Sequence, residues 1–432
     1  MQIESNSNAT PLSLGARRYA LAILAIVYMF NFIDRQILAI LLPSIKAEFQ
    51  VGDAVLGLLA GTAFALFYVV LGIPIARLAD RSNRRNLIAL AVAVWSGMTA
   101  LSGFAANIWQ LGLARIGVGI GEAGCSPPAH SMISDLYPPE QRSSAMGVYT
   151  LGISAGIMLA YLAGGWVVEN YTWRHAFFIV GLPGLLLAAL VRFTVIEPPR
   201  GATDNRAVTG EQPSLMDVVR FLASRRSFFY MSLGAGASSF VGYSIIFEMP
   251  SFLGRSFEIG ATSIGIWLGL IYGFAGGLGF FLGGYFADRM GTQGHKRALN
   301  FIAVSTILST VCLAAVFLST TLLWCLSLLI FPSVIMNFYL APVLAQTQSL
   351  VSLRMRAVAS SLMLLILNVV GLMIGPFITG LISDLLRDTQ GNESLRYALL
   401  IATVVMLPVA AICYWQAGRS IDADLKRANE KD

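Results

Sequence analysis

The chain has 432 residues, of which 56% are hydrophobic and only 12% charged, with a mean hydropathy of +0.71. That balance excludes a soluble globular domain and describes a polytopic membrane protein. A formal charge of +6 would suit nucleic acid or other anionic partners, so the placement of the basic residues has to decide.

A spanning helix needs about 20 mostly apolar residues. Twelve runs qualify, at 18–42, 54–78, 86–106, 109–134, 144–168, 175–196, 228–253, 262–287, 298–318, 321–346, 357–384 and 396–416. The first follows a polar tail, 1–17, and is too long for a signal-peptide core; no A-x-A cleavage site follows it, so it reads as a retained helix. With the N-terminus inside, Lys46, Arg174, Arg255, Arg387 and Arg396 fall outside, Arg35 and Arg115 fall within spans, and the rest of the 29 Lys and Arg are cytoplasmic. The bias places both termini in the cytoplasm of a cell (inner) membrane protein. It also accounts for the charge without nucleic acid.

The first run carries two charges in its middle, in YMFNFIDRQILAILLP (28–43). A charge at the bilayer centre costs a few kcal/mol or more, and so faces a partner or a watery cavity. Adjacent helical residues point about 100° apart, so Asp34 and Arg35 should each look to another helix. The second run exits through ARLADRSNRR (76–85), and the fourth, LARIGVGIGEAGCSPPAHSMISD, carries Arg115 and Glu122. Seven residues apart, these two lie within about 20° of one face and roughly 10 Å along the axis. A crossed pairing, Asp34 with Arg115 and Arg35 with Glu122, satisfies all four. The glycines at 117, 119, 121 and 124 let a neighbouring helix or a ligand approach closely.

Residues 197–227 are polar and rich in Arg, Pro and Gly, as a cytoplasmic connector would be, and SLMDVVRFLASRRSFF (214–229) within them suits a short interfacial helix. The halves on either side repeat. LPSIKAEFQVGDAVLG returns as MPSFLGRSFEIGATSIG, Ala79-Asp80-Arg81 as Ala287-Asp288-Arg289, and Pro128 and Arg142 as Pro342 and Arg356. Two six-helix halves follow, at 18–196 and 228–417, with a charged cytoplasmic tail at 418–432. The four cysteines all lie in spans without metal-ligand spacing, so neither a metal nor a cofactor is expected.

Six plus six helices with ARLADRSNRR after the second and GYFADRMG (284–291) after the eighth resemble the major facilitator superfamily. So do LARIGVGIGE (113–122), PPEQR (138–142) and WRHAFFIVGLPG (173–184). NFIDR with GIGEAGCSPPAHSMISDLYPPEQR is similar, more narrowly, to the spinster family. The resemblance implies an all-α fold of twelve transmembrane helices in two pseudo-symmetric halves. It implies alternating access and export of sphingosine phosphate, lysolipids or similar amphipaths. Two departures stand out: Ala76 and Asn83 replace the loop motif's signature glycines, and helix five reads GISAG rather than the proline-bearing pattern of many drug antiporters.

Asp80, Arg81, Arg84 and Arg85, with Asp288 and Arg289 in the second half, are candidates for a cytoplasmic latch. Carboxylates and guanidiniums form strong directional pairs, although topology-setting charge alone would explain the arginines. The repeat leaves Val241, Gly242, Leu329 and Met336 opposite the four intramembrane charges. A cavity charged on one wall and greasy on the other suits an amphipath, with its charged head toward Arg35 or Arg115. Asn31, Glu122, Met336, Asn337, Tyr339, Asn368 and Glu248 complete the expected substrate contacts.

Rearranging carboxylate–arginine pairs changes proton affinity, so Glu122 and Asp34 are the expected coupling acids of a proton antiporter, with His130 a possible relay. Fixed ion pairs holding helix one to helix four are the structural alternative. The partners expected are protons, a small amphipathic substrate and membrane lipids, with the chain acting as a monomer. Two other readings stay open. One is a proton-coupled carrier of drugs, organic anions or sugars. The other is a membrane acyltransferase, since HSMISD (130–135) has the H-x-x-x-x-D spacing of a base and its orienting acid.

Overall fold

A computed structural model of the chain describes residues 13–199, 215–291, 294–352 and 355–429. Among these residues there is no strand, and twelve long helical segments follow one another. They are α1 (Leu14–Phe49), α2 (53–81), α3 (Arg84–Ser102), α4 (108–136), α5 (Pro139–Asn170), α6 (Trp173–Thr194), α7 (Arg226–Phe257), α8 (261–291), α9 (His295–Leu318), α10 (322–349), α11 (356–390) and α12 (Ser394–Asn429). A connector helix, Leu215–Ala223, precedes α7. The end at which α7 begins and α12 finishes, joined by Ser227 and Asp424, is called the near face, and the opposite end the far face.

Among the described residues, eight stretches are long and apolar enough to span on those grounds alone, one of them (358–427) covering both α11 and α12. The regions of α2, α4 and α7 are not among them; the apolar part of α2 counted there, Asp53–Tyr68, is shorter. Intramembrane charges and paired prolines interrupt α4, and Ser, Gly and Tyr dilute α7.

The helices run beyond the apolar stretches and break where chemistry demands it. The α1 helix continues to Phe49, and Gln50 then turns left-handed at φ 52°; its repeat counterpart Glu258 ends α7 in the same way at φ 53°. A left-handed residue closes the last turn of a helix, so the duplication extends to how these helices stop. The fourth run, continuous by hydropathy, divides into Ile108–Glu122 and Ser126–Leu136. Pro127 and Pro128 have no N–H to donate back into the preceding turn, so the segment 123–125 closes with shorter bonds, Cys125 N–H to the Glu122 carbonyl among them. Single wide turns interrupt α2 at 58–62, α8 at 271–275 and α11 at 368–374, local features that cluster at working sites.

The described residues form two compact units: one within 13–35, 67–157 and 174–199, the other within 36–66, 158–173 and 215–429. In the first, Gly117, Gly121 and Gly124 of α4 form one stripe against α3. A Cβ there would meet the Met98 side chain at 2.4 Å, the Trp95 main chain at 2.6 Å and Ala91 at 3.0 Å. The stripe therefore seats a neighbouring helix rather than a ligand. In the second unit the far-face parts of α1, α2 and α5 pack with α7, α8 and α11. At Gly61 an added Cβ would lie 2.0 Å from the Leu372 carbonyl oxygen.

Candidate functional site

The intramembrane charges of α1 and α4 meet in the first unit as the crossed pairing requires. Arg115 Nη1 donates to Asp34 Oδ1 at 3.0 Å, and its Nη2 reaches the Asp34 carbonyl at 3.3 Å. Arg35 Nε donates to Glu122 Oε2 at 2.5 Å. Asp34, Arg115 and Glu122 are each 1% exposed, so each ion pair is held away from solvent, where losing one partner would strand the other. The Thr99 hydroxyl of α3 donates to the second oxygen of Asp34. The Arg35 guanidinium also lies over the rings of Tyr68, at 4.7 Å, and Phe32, at 5.5 Å.

The cluster is not fully satisfied. Glu122 Oε1, Arg115 Nε and both amide atoms of Asn31 are buried without hydrogen-bond partners. Asn31 is one turn from Asp34 and Arg35 and is 1% exposed. Buried polar groups are nearly always bonded, so orphaned atoms beside two ion pairs suit a polar ligand group or water. His130 is exposed, and its ring meets Tyr149 edge-on at 5.4 Å.

The remaining expected contacts belong to the second unit. Met336, Asn337 and Tyr339 occupy a tight 3-10 turn inside α10, and Asn368 opens the wide turn of α11. Asn337 and Asn368 donate to carbonyls one turn back in their own helices, at 2.9 and 2.8 Å. Glu248 of α7 is 1% exposed, and its Oε1 has no partner.

The second unit also holds a charge cluster at the far face. Asp53, at the start of α2, accepts two bonds from Arg255 of α7, at 2.7 and 2.6 Å, one from Ser383 at 2.8 Å, and one from Lys46. Asp384 of α11 caps the same helix start, accepting from the N–H groups of Asp53 and Ala54 at 2.8 Å each. This cluster was not legible in the sequence, where Lys46 and Arg255 count only as flanking positive charge. The one local sign was an acid, Asp53, at a helix start.

The model of the Major Facilitator Superfamily matches residues 24–376. An MFS-type efflux pump of Mycolicibacterium smegmatis is 32% identical over 94% of both chains. The sphingosine-1-phosphate transporter SPNS2 of Danio rerio is 27% identical, over 90% of this chain and 81% of its own. A crystallised bacterial homologue of the human lysosomal transporter spinster, inward-facing and unoccupied, superposes with a TM-score of 0.85 at 32% identity, covering 96% of this chain and 99% of that one. The chain belongs to the spinster family of the major facilitator superfamily.

This spinster-family chain is therefore a membrane transporter and not an enzyme. In the H-x-x-x-x-D stretch, Asp135 is engaged with Arg84 at 2.5 Å. Of the loop residues expected to latch the halves, the side chains of Asp80, Arg81 and Asp288 lie outside the described residues. Arg84 is buried and bonded within the first unit, to Glu197 at 2.8 Å, to Ser131 at 2.8 Å and to Asp135. Arg85 donates its N–H to Glu197 at 2.7 Å, and the exposed Arg289 reaches Tyr285 at 3.5 Å. Asn83, which stands where the loop motif has a glycine, caps α3 by accepting from the Asn86 N–H.

Proposed function

We propose that this transporter works by alternating access, with the α1–α4 charge cluster coupling proton movement to export of an amphipathic, lipid-like substrate of the sphingosine phosphate or lysolipid class. The observation that carries this reading is the pair of crossed, buried ion pairs with orphaned polar atoms beside them. A head whose phosphate pairs with Arg35 or Arg115 and whose ammonium pairs with Glu122 or Asp34 would hold those acids ionised and deny them a proton. Proton and head would then exclude one another, which is the requirement for antiport.

On this reading Asn31 joins the head group. Met336, Asn337, Tyr339 and Asn368 supply the less charged wall, Glu248 faces a vestibule and His130 serves as a peripheral relay. Asp80, Arg81, Arg84, Arg85, Asp288 and Arg289 form the latch at the near face, which the distribution of Lys and Arg makes cytoplasmic.

The test is a pH-gradient proteoliposome assay with a lysolipid, sphingosine phosphate, a sugar and a small organic acid as substrates. Wild type should move the lipids and dissipate the gradient, whereas Glu122→Gln or Asp34→Asn should uncouple the two. Transport and acidification like wild type in both variants would reject the coupling. The relative named an efflux pump supports a second reading, export of other amphipathic compounds. Preference for a lipophilic cationic dye over both lipids would favour it.

A further inference from the structure

The second unit contains a basic cavity that shares no residue with the α1–α4 cluster. It lies at the near face, where the connector helix meets the first turn of α7 and the last turns of α12, and encloses about 760 Å³. Its polar lining includes Arg225, Arg226, Tyr230, Gln416, Arg419 and Ser420. Three arginines converge here, and among the described residues none is ion-paired.

Arg225 is the informative one. It is 5% exposed, its guanidinium lies on Phe221 at 4.5 Å, and its one hydrogen bond among the described residues is a long one, 3.4 Å, to the Arg427 carbonyl. Its Nε is buried with no partner. The nearby carboxylate of Asp424 is used elsewhere, accepting from the N–H and hydroxyl of Ser227 at 2.8 Å each. A buried guanidinium with a spare donor and no ion-pair partner is a costly arrangement unless an anion completes it.

What surrounds the cavity says which anion. Phe229 and Leu233, one turn apart on α7, are 59% and 47% exposed; Trp415 and Ile412 of α12 are 46% and 58% exposed. These side chains make an apolar wall leading from the cavity into the membrane. The exposed Arg419 lies over the Trp415 ring at 4.9 Å, a cation and an indole placed together where such pairs anchor at the membrane interface. Basic pockets at that level bind anionic head groups, and the wall accommodates acyl chains.

We propose that this cavity holds the phosphate head group of an anionic membrane lipid, gripped by Arg225, Arg226 and Arg419, with its acyl chains lying along Phe229, Leu233, Ile412 and Trp415. The lipid would tie the connector helix to the ends of α7 and α12. Val218 and Leu222 of that helix already pack there, in one core with Phe228 and Tyr414. The site shares no residue with the substrate cluster and stands whether or not the proton-coupled reading holds.

Native mass spectrometry of the full chain, titrated with phosphatidylglycerol, phosphatidylcholine or inorganic phosphate, tests it. Phosphatidylglycerol should bind at least about tenfold more tightly than phosphatidylcholine, and millimolar phosphate should not displace it. The Arg226→Gln/Arg419→Gln variant changes only exposed side chains and leaves the buried Arg225 in place. It should weaken phosphatidylglycerol by roughly 25-fold, about fivefold per arginine. A charge-matched Arg17→Gln/Arg192→Gln variant should bind as wild type does. Equal affinity for the two lipids, an equal loss in the charge-matched variant, or ready displacement by inorganic phosphate would each overturn the assignment.

Discussion

Asp34 holds together more of the site than any other single side chain, since it takes bonds from Arg115 of α4 and Thr99 of α3 while standing on α1. Replacing it by Asn leaves the Arg115 guanidinium, 1% exposed, without a counter-charge. Thermal melts in detergent should show a loss of ~3–5 kcal/mol. The Asp34→Asn/Arg115→Gln double variant should lose less than the sum of the two singles, because neither buried charge then stands alone. Strict additivity would mean that the pair contributes nothing jointly.

At this scale the sequence was informative. Helical geometry alone requires Asp34 and Arg35 to look away from each other, and the seven-residue spacing of Arg115 and Glu122 supplies one partner for each. What it could not supply was Thr99, one hydroxyl among many apolar neighbours with no motif around it. Nor could it supply the full set of partners around Arg84: Asp135 lies 51 residues away along the chain and Glu197 lies 113.

Elements in this protein meet through glycines as much as through greasy side chains. Where α2 crosses α11, the Gly61 position leaves no room for a methyl group beside the Leu372 carbonyl. Gly61→Ala should destabilise the protein by ~1–3 kcal/mol through overpacking. Gly147→Ala in α5, where an added Cβ meets nothing within 4 Å, should be neutral or stabilise by up to about 1 kcal/mol through helix propensity. Melting temperatures measured side by side decide the matter, and equal shifts would refute the contact argument. Runs of apolar residues announce where helices are, but not where they break. The division of α4 follows from Pro127 and Pro128, visible in the sequence, whereas the wide turns in α2, α8 and α11 contain no proline and arise only in the packed structure.

For the molecule as a whole, the far-face cluster decides how the second unit is assembled. Asp53 joins Lys46 of α1 and Arg255 of α7, while Asp384 of α11 caps the helix that Asp53 begins. Asp53→Asn would leave two cations against a neutral amide. The far-face ends of α1, α2 and α7 should then separate more often. In a chain stripped of its four native cysteines, a cysteine replacing the buried Ser251, one turn from Arg255, should react with a water-soluble maleimide severalfold faster in that variant. An unchanged rate would show that apolar packing alone closes this region.

The sequence by itself determined that the chain crosses a membrane twelve times, that its halves are duplicates, and that the intramembrane charges belong to one half. Each of these is written in local composition and spacing, because the bilayer demands a fixed length of apolar helix and penalises every stray charge. Only the tertiary structure decided which acids meet which bases at the far face, how the compact units divide the helices, and where buried polar atoms go unpaired. Those outcomes depend on contacts between residues far apart in the chain, and a local pattern does not encode the distance between them.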